Sequence, residues 1–189
     1  VATTTLGDSA ADPVVVAQYP DLDAMDRVVF RLEPDGRSEV LGLLPLGAAL
    51  AVGPLPISAD GRFIVLLAPD RLALRLLDLR EHRTLAEVPL APNLNQPSYT
   101  AQFFDAGIYV SLDADTTDGA QQGLRLTYRY ATAGVARLDE AEPAYTLCND
   151  LLPDGSILCW HYADWNELTT RYVRYAPDWS EATPLLDDH

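Results

Sequence analysis

The densest run of potential cation ligands in this chain is Asp113-Ala-Asp115-Thr-Thr-Asp118-Gly119. Calcium takes roughly six to eight oxygen ligands, and closely spaced aspartates around a glycine turn supply several of them. The spacing departs by one residue from Asp-x-Asp-x-Asp-Gly, and no glutamate closes the run at its twelfth position. Asp113, Asp115 and Asp118 are therefore the candidate metal ligands, with Ca2+ as the candidate ion. Pro20–Asp26 is a weaker echo without the glycine. The competing reading is a solvated polar hairpin loop, ordinary in so acidic a chain.

Cys148 and Cys159 flank the turn Pro153-Asp154-Gly155-Ser156. Two cysteines without a close second pair do not make a zinc site. If Asp154-Gly155 is a two-residue loop, residue 150 faces 159 and 148 faces 161, so a disulfide demands a shifted register. Bridged and free forms both stay open at this point. Trp160, Tyr162, Trp165 and Trp179 gather near His161. Such aromatics stack on sugars or anchor interfaces, and they also serve as plain packing residues.

Catalysis finds little footing. The chain has no Gly-x-Ser-x-Gly, His-Glu-x-x-His, phosphate loop or Gly-x-Gly-x-x-Gly. His82 falls in a turn, His161 in a strand and His189 in the tail, with no nucleophile at a telling spacing. Acid pairs are too numerous for any one to be singled out as glycosidase machinery.

The 189 residues carry a formal net charge of −15, and all 13 basic residues are arginine. That balance argues against nucleic acid or an anionic membrane as partner, since both require basic patches. No run approaches the ~20 apolar residues of a membrane-spanning helix. The chain starts at Val1 and not at Met, which suggests a processed, exported product in an extracytoplasmic or secreted setting.

The elements that would position these residues are short strands. Ile57–Leu90 is the clearest stretch: a turn at Asp60-Gly61, an apolar strand Arg62–Ala68, a break at Pro69-Asp70, a strand over Arg71–Leu79, a polar turn Glu81-His82-Arg83 and a strand Thr84–Leu90. A helix over Arg71–His82 is the rival, because leucine, arginine and alanine are good helix formers. Equivalent segments elsewhere, TYRYATA and YVRYAPDW, favour strand. Ala91–Pro97 reads as a linker, and Asp113–Gly123 as a long loop. The arginines at 31, 75, 125, 129, 171 and 174 fall on third strands, where stems cover apolar surface and heads stay in water.

Ser58-Ala59-Asp60-Gly61-Arg62-Phe63-Ile64-Val65 resembles the TolB-type repeat of WD40-like β-propellers, whose signature runs Ser-Pro-Asp-Gly-Arg before a hydrophobic strand. Leu77-Asp78 stands at the Trp-Asp position. Alanine replaces the proline and leucine the tryptophan, so the blade is degenerate, and the likeness concerns fold and not activity. It implies an all-β, propeller-like domain of about four four-stranded antiparallel blades, approximately 1–46, 47–91, 98–142 and 143–189. Gly61, Gly107 and Gly155 mark their first turns at spacings of 46 and 48. Four blades also suit a fragment of a larger ring, and a β-sandwich is the fallback.

In that architecture the loops between second and third strands share one face and carry Asp21, Asp23, Asp26, Asp70, Asp113, Asp115, Asp118, Asp164 and Glu167. The expected function is a non-catalytic binding or scaffold module mediating protein–protein contact or self-association. The alternatives are the propeller portion of a larger hydrolase, or a calcium- or small-ligand-binding module.

Overall fold

The computed structural model describes residues 4–6, 14–18, 26–32, 35–45, 56–140, 146–162 and 170–187. Among these, every regular element is a β-strand. The first sheet runs in chain order through β1 (Thr4–Leu6), β2 (Val14–Gln18), β3 (Asp26–Leu32), β4 (Ser38–Pro45), β5 (Phe63–Leu67), β6 (Ala73–Asp78) and β7 (Arg83–Pro89). Its strands pair antiparallel, with Leu43 of β4 opposite Leu67 of β5. A second sheet holds β8 (Leu94–Phe104), β9 (Gly107–Thr116), β10 (Gln121–Arg129) and β11 (Gly134–Glu140). A third holds β12 (Thr146–Leu151), β13 (Ile157–Tyr162), β14 (Thr170–Tyr175) and β15 (Ala182–Asp187). The protein is all-β with antiparallel sheets, and it divides into two compact units, Val1–Ala101 and Gln102–His189.

In the first unit Ile64, Val65, Leu66 and Leu67 of β5 are all buried, the mark of a strand covered on both faces. The segment 73–78 is a strand and not a helix. Arg71, at φ 61°, takes a left-handed conformation just before it, and the Asp70 carboxylate accepts the Leu72 amide at 2.9 Å. Leu76 and Leu77 bury in succession because β6, like β5, is buried on both faces; the bulge falls in β7, where Leu85 is the extra residue between Thr84 and Ala86. Tyr99, in the first half of β8, donates its buried hydroxyl to the Val65 carbonyl at 2.7 Å.

The second unit contains the β12–β15 sheet and, apart from residues 94–101 of β8, the β8–β11 sheet, and its core lies between them. Tyr109, Phe104, Ala106, Ala136 and Leu138 pack against Leu151, Ile157, Val173, Tyr175, Trp179 and the cysteine pair. On the opposite face of the β8–β11 sheet, Ile108, Val110, Leu112, Leu124, Leu126 and Tyr128 are buried as well. That sheet is therefore covered on both sides.

Several expectations need correction. Asp113–Gly123 is no long loop: β9 continues to Thr116, β10 begins at Gln121, and Asp113, Ala114 and Asp115 pair with Gly123, Gln122 and Gln121. The alternation of buried Ala114 and Thr116 with exposed Asp113 and Asp115 is a strand pattern, hidden in the sequence by its polar residues. The linker over Ala91–Pro97 gives way to β8 from Leu94, a strand at the edge of its sheet, where proline is tolerated. Gly107 opens β9 instead of turning the chain, and a Cβ there would fall 2.0 Å from the Tyr128 carbonyl oxygen, so close backbone approach requires the glycine. Arg31 and Arg125 do not reach into water. Each is buried beside a carboxylate, Glu39 and Asp113 respectively. The blade reading also calls for an innermost strand over Ala48–Ile57, a stretch that lies largely outside the described residues; Ile57 bridges Ile64.

Candidate functional site

Aspartates dominate the turns, and one geometry recurs. Asp35, Asp60, Asp70, Asp118, Asp154 and Asp178 each precede a residue of positive φ: Gly36, Gly61, Arg71, Gly119, Gly155 and Trp179, with φ between 61° and 85°. In all six the carboxylate Oδ1 accepts the backbone N–H two residues on, from Arg37, Arg62, Leu72, Ala120, Ser156 and Ser180, at 2.9–3.5 Å. An aspartate that satisfies an amide two residues away holds the chain in a turn while the next residue reverses it. Asp35, Asp60, Asp118, Asp154 and Asp178 lie below the usual carboxylate range. The leading cause in each is a side-chain hydrogen bond, from Arg37, Ser58, Thr116, Ser156 and Ser180 in turn.

The Ser58–Arg62 motif extends this device into the core. Ser58 Oγ donates to Asp60 at 2.6 Å and accepts the Phe63 amide at 2.8 Å. The Arg62 guanidinium, stacked 4.7 Å from the Phe63 ring centroid, donates from Nε and Nη2 to Asp78 Oδ2 at 3.0 and 2.7 Å. Asp78 is fully buried, and its Oδ1 accepts the Arg80 and Glu81 amides. Burial works to raise this carboxyl, but the Arg62 bonds and the two amides outweigh it and leave it below the ordinary range. A related knot stands in the third sheet, where Arg174 donates to Ser156 Oγ at 2.9 Å and to Asp154.

The three candidate metal ligands occupy one hairpin in different ways. Asp113 receives the buried Arg125 guanidinium at 3.0 Å. Asp118, at the tip, accepts from the Thr116 hydroxyl and the Ala120 amide. Asp115 stands exposed on β9 opposite Gln121. Among the described residues no group of three histidine, cysteine, aspartate or glutamate side chains converges as a metal cage. Of the other loop acids, Asp70 is a turn residue and Asp26 begins β3, while Asp21, Asp23, Asp164 and Glu167 lie outside the described residues.

The aromatic residues separate into two groups. Trp179 is buried, with ring centroids 5.0 Å from Tyr175 and 6.2 Å from Tyr109, so it is a core residue. Trp160 and Tyr172, directly paired across β13 and β14, lie on the other face of the third sheet with centroids 5.1 Å apart. They are partly exposed, as is Leu158 beside them. Trp165 lies outside the described residues.

Cys148 and Cys159 form a disulfide, with Cα atoms 3.9 Å apart. The loop is of three residues and not two. Leu152 donates to the Ser156 carbonyl, Gly155 takes the left-handed position, and a bulge at Asn149 then brings residue 148 opposite 159. This is the register shift that a bridge requires.

Sequence reasoning placed turns at Asp60-Gly61 and at Pro153–Ser156 but passed over the carboxylate–amide bonds within them, and over the buried Arg125–Asp113 pair. The signal for the carboxylate–amide bonds was visible as Pro-Asp at 34, 69, 153 and 177, each followed by the residue that takes positive φ. No family model matches the sequence. A comparison with curated proteins likewise yields no significant match.

Proposed function

We propose that the chain is a propeller-like, non-catalytic binding module that makes protein–protein contact through the outer face of the β12–β15 sheet. The observation that carries this reading is the Trp160–Tyr172 pair, which with Leu158 stays partly exposed on a sheet whose other face is buried. Rigid aromatics of this kind anchor interfaces at low entropic cost.

The sheet edges support a face and not an edge as the contact. Pro97 sits in β8, Pro89 in β7 and Pro184 in β15, while β12 is bulged and β11 carries the exposed Arg137–Asp139 ion pair. Prolines, bulges and charges at edges discourage strand addition. Two successive four-stranded antiparallel sheets, the first of them buried on both faces, suit a blade-like arrangement. The disulfide favours an oxidising, extracytoplasmic setting.

The test is photocrosslinking from a benzophenone amino acid placed at position 160 or, as an edge control, at position 137. Protein adducts, to a second copy or another chain, are expected from 160 and not from 137. Adducts from 137 alone, or from neither, overturn the reading.

A further inference from the structure

β13 is held on its β14 side by six consecutive pairs, from Ile157↔Tyr175 to Tyr162↔Thr170. On its β12 side the ladder breaks. Leu151 pairs with Ile157 and Asp150 with Leu158, but the next pair is Cys148↔Cys159, so Asn149 is an extra residue. An unbroken ladder would instead pair Asn149 with Cys159, Cys148 with Trp160 and Leu147 with His161. Because side chains alternate, that one-residue slip carries every position before 149 to the opposite face.

We propose that the Cys148–Cys159 disulfide is a redox lock on the register of β12, and that its reduction lets β12 slip by one residue against β13. The proposal is independent of the contact reading above. In the bridged form the cysteines are 2% and 0% exposed, within the core formed with Val173, Tyr175 and Trp179. Two opposing terms leave the registers close in energy without the bridge. The bulge keeps Asn149 out of the ladder, whereas the unbroken ladder places that polar amide at a core position. In compensation it pairs Leu147, in place of Thr146, with His161, two residues along β13 from Cys159. The covalent bond decides between them.

β12 is an edge strand, where local opening is easiest and a reductant gains access. A dithiol reductant supplies both electrons. One of its thiolates attacks a bridge sulfur, its second thiol resolves the mixed disulfide, and it leaves as a cyclic disulfide with both cysteines as thiols. After the slip Cys148 stands beside Trp160 on the partly exposed face, and Cys159 stays in the core.

The experiment reduces the native protein with dithiothreitol, pulses it with iodoacetamide and quantifies each cysteine by peptide mass spectrometry. Cys148 is expected to alkylate at least tenfold faster than Cys159. Equal reactivity means local unfolding, equal protection means a retained bulge, and either overturns the proposal. Deletion of Asn149 places Cys148 opposite Cys159 in an unbroken ladder, so both thiols should then stay protected after reduction. Continued selective labelling of Cys148 in that variant overturns the proposal too. Should the deletion variant not fold, hydrogen exchange of the parent gives the answer. Since Leu152 donates to Ser156 across the loop, alternation makes the Cys148 amide a donor to Trp160 in the slipped register. Its protection should rise at least tenfold on reduction, and no rise overturns the slip.

Discussion

Asp78 shows how an acidic chain places a carboxylate in its core. It is fully buried, yet both oxygens are satisfied, one by Arg62 and one by two amides. Asp78→Ala leaves those amides and a one-third-exposed guanidinium without their acceptor, and should lower the unfolding free energy by about 2–3 kcal/mol. Urea denaturation at neutral pH checks this, and a loss below about 1 kcal/mol would contradict it. Asp115 is the opposite case, exposed on β9. With Asp113 on Arg125 and Asp118 on Thr116, Asp115→Ala should leave the melting temperature unchanged in calcium and in chelator alike. A destabilisation seen only with calcium would return the hairpin to the role of a metal site. The sequence exposed the aspartates but not their partners, because Arg125 meets Asp113 only through cross-strand pairing.

Six of the turns owe their geometry to aspartate followed by a left-handed residue. Gly36 and Gly155 share this conformation, at φ 85° and 84°, but their surroundings differ. A Cβ on Gly36 meets nothing within 4 Å, while one on Gly155 falls 2.6 Å from Arg129 Cδ. Gly36→Ala should therefore cost about 1 kcal/mol, the conformational term alone. Gly155→Ala should cost more, about 2 kcal/mol, because the Arg129 stem must also move. Chemical denaturation of both variants tests the ordering, and equal losses would refute it. Strand positions were legible wherever apolar residues ran together, as in Phe63–Leu67. They were obscured at Asp113–Thr116, where polar residues face outward along a strand, and at Leu94–Pro97, where proline suggested a linker. The disulfide register depended on a three-residue loop and a bulge, neither of which residue spacing specifies.

Across the whole molecule the excess negative charge is partly an inventory of turns. Asp35, Asp60, Asp118, Asp154 and Asp178 have folded-state pKa values depressed below the unfolded value of about 3.9. Such groups add stability that is fully present above the unfolded value and is lost as pH falls through the folded ones. Stability should hold from neutrality to about pH 5 and decline below about pH 4. Asp154→Asn keeps the amide acceptor but cannot titrate, so its midpoint in urea should fall less steeply with acid. A slope as steep as the parent's would contradict the assignment. All-β class and the absence of a nucleotide or zinc motif could be read from residues alone. How sheets assemble rests on long-range packing, which spacing specifies only loosely.

The account's central claim is that contact runs through the aromatic face of the third sheet and not through its guarded edges. The direct measurement is the affinity for the partner captured from position 160, determined by titration calorimetry for the parent, Tyr172→Ser and Arg137→Ala. The account predicts at least a tenfold weakening, about 1.4 kcal/mol, for Tyr172→Ser and an unchanged affinity for Arg137→Ala. Equal losses, or a loss confined to Arg137→Ala, would contradict it.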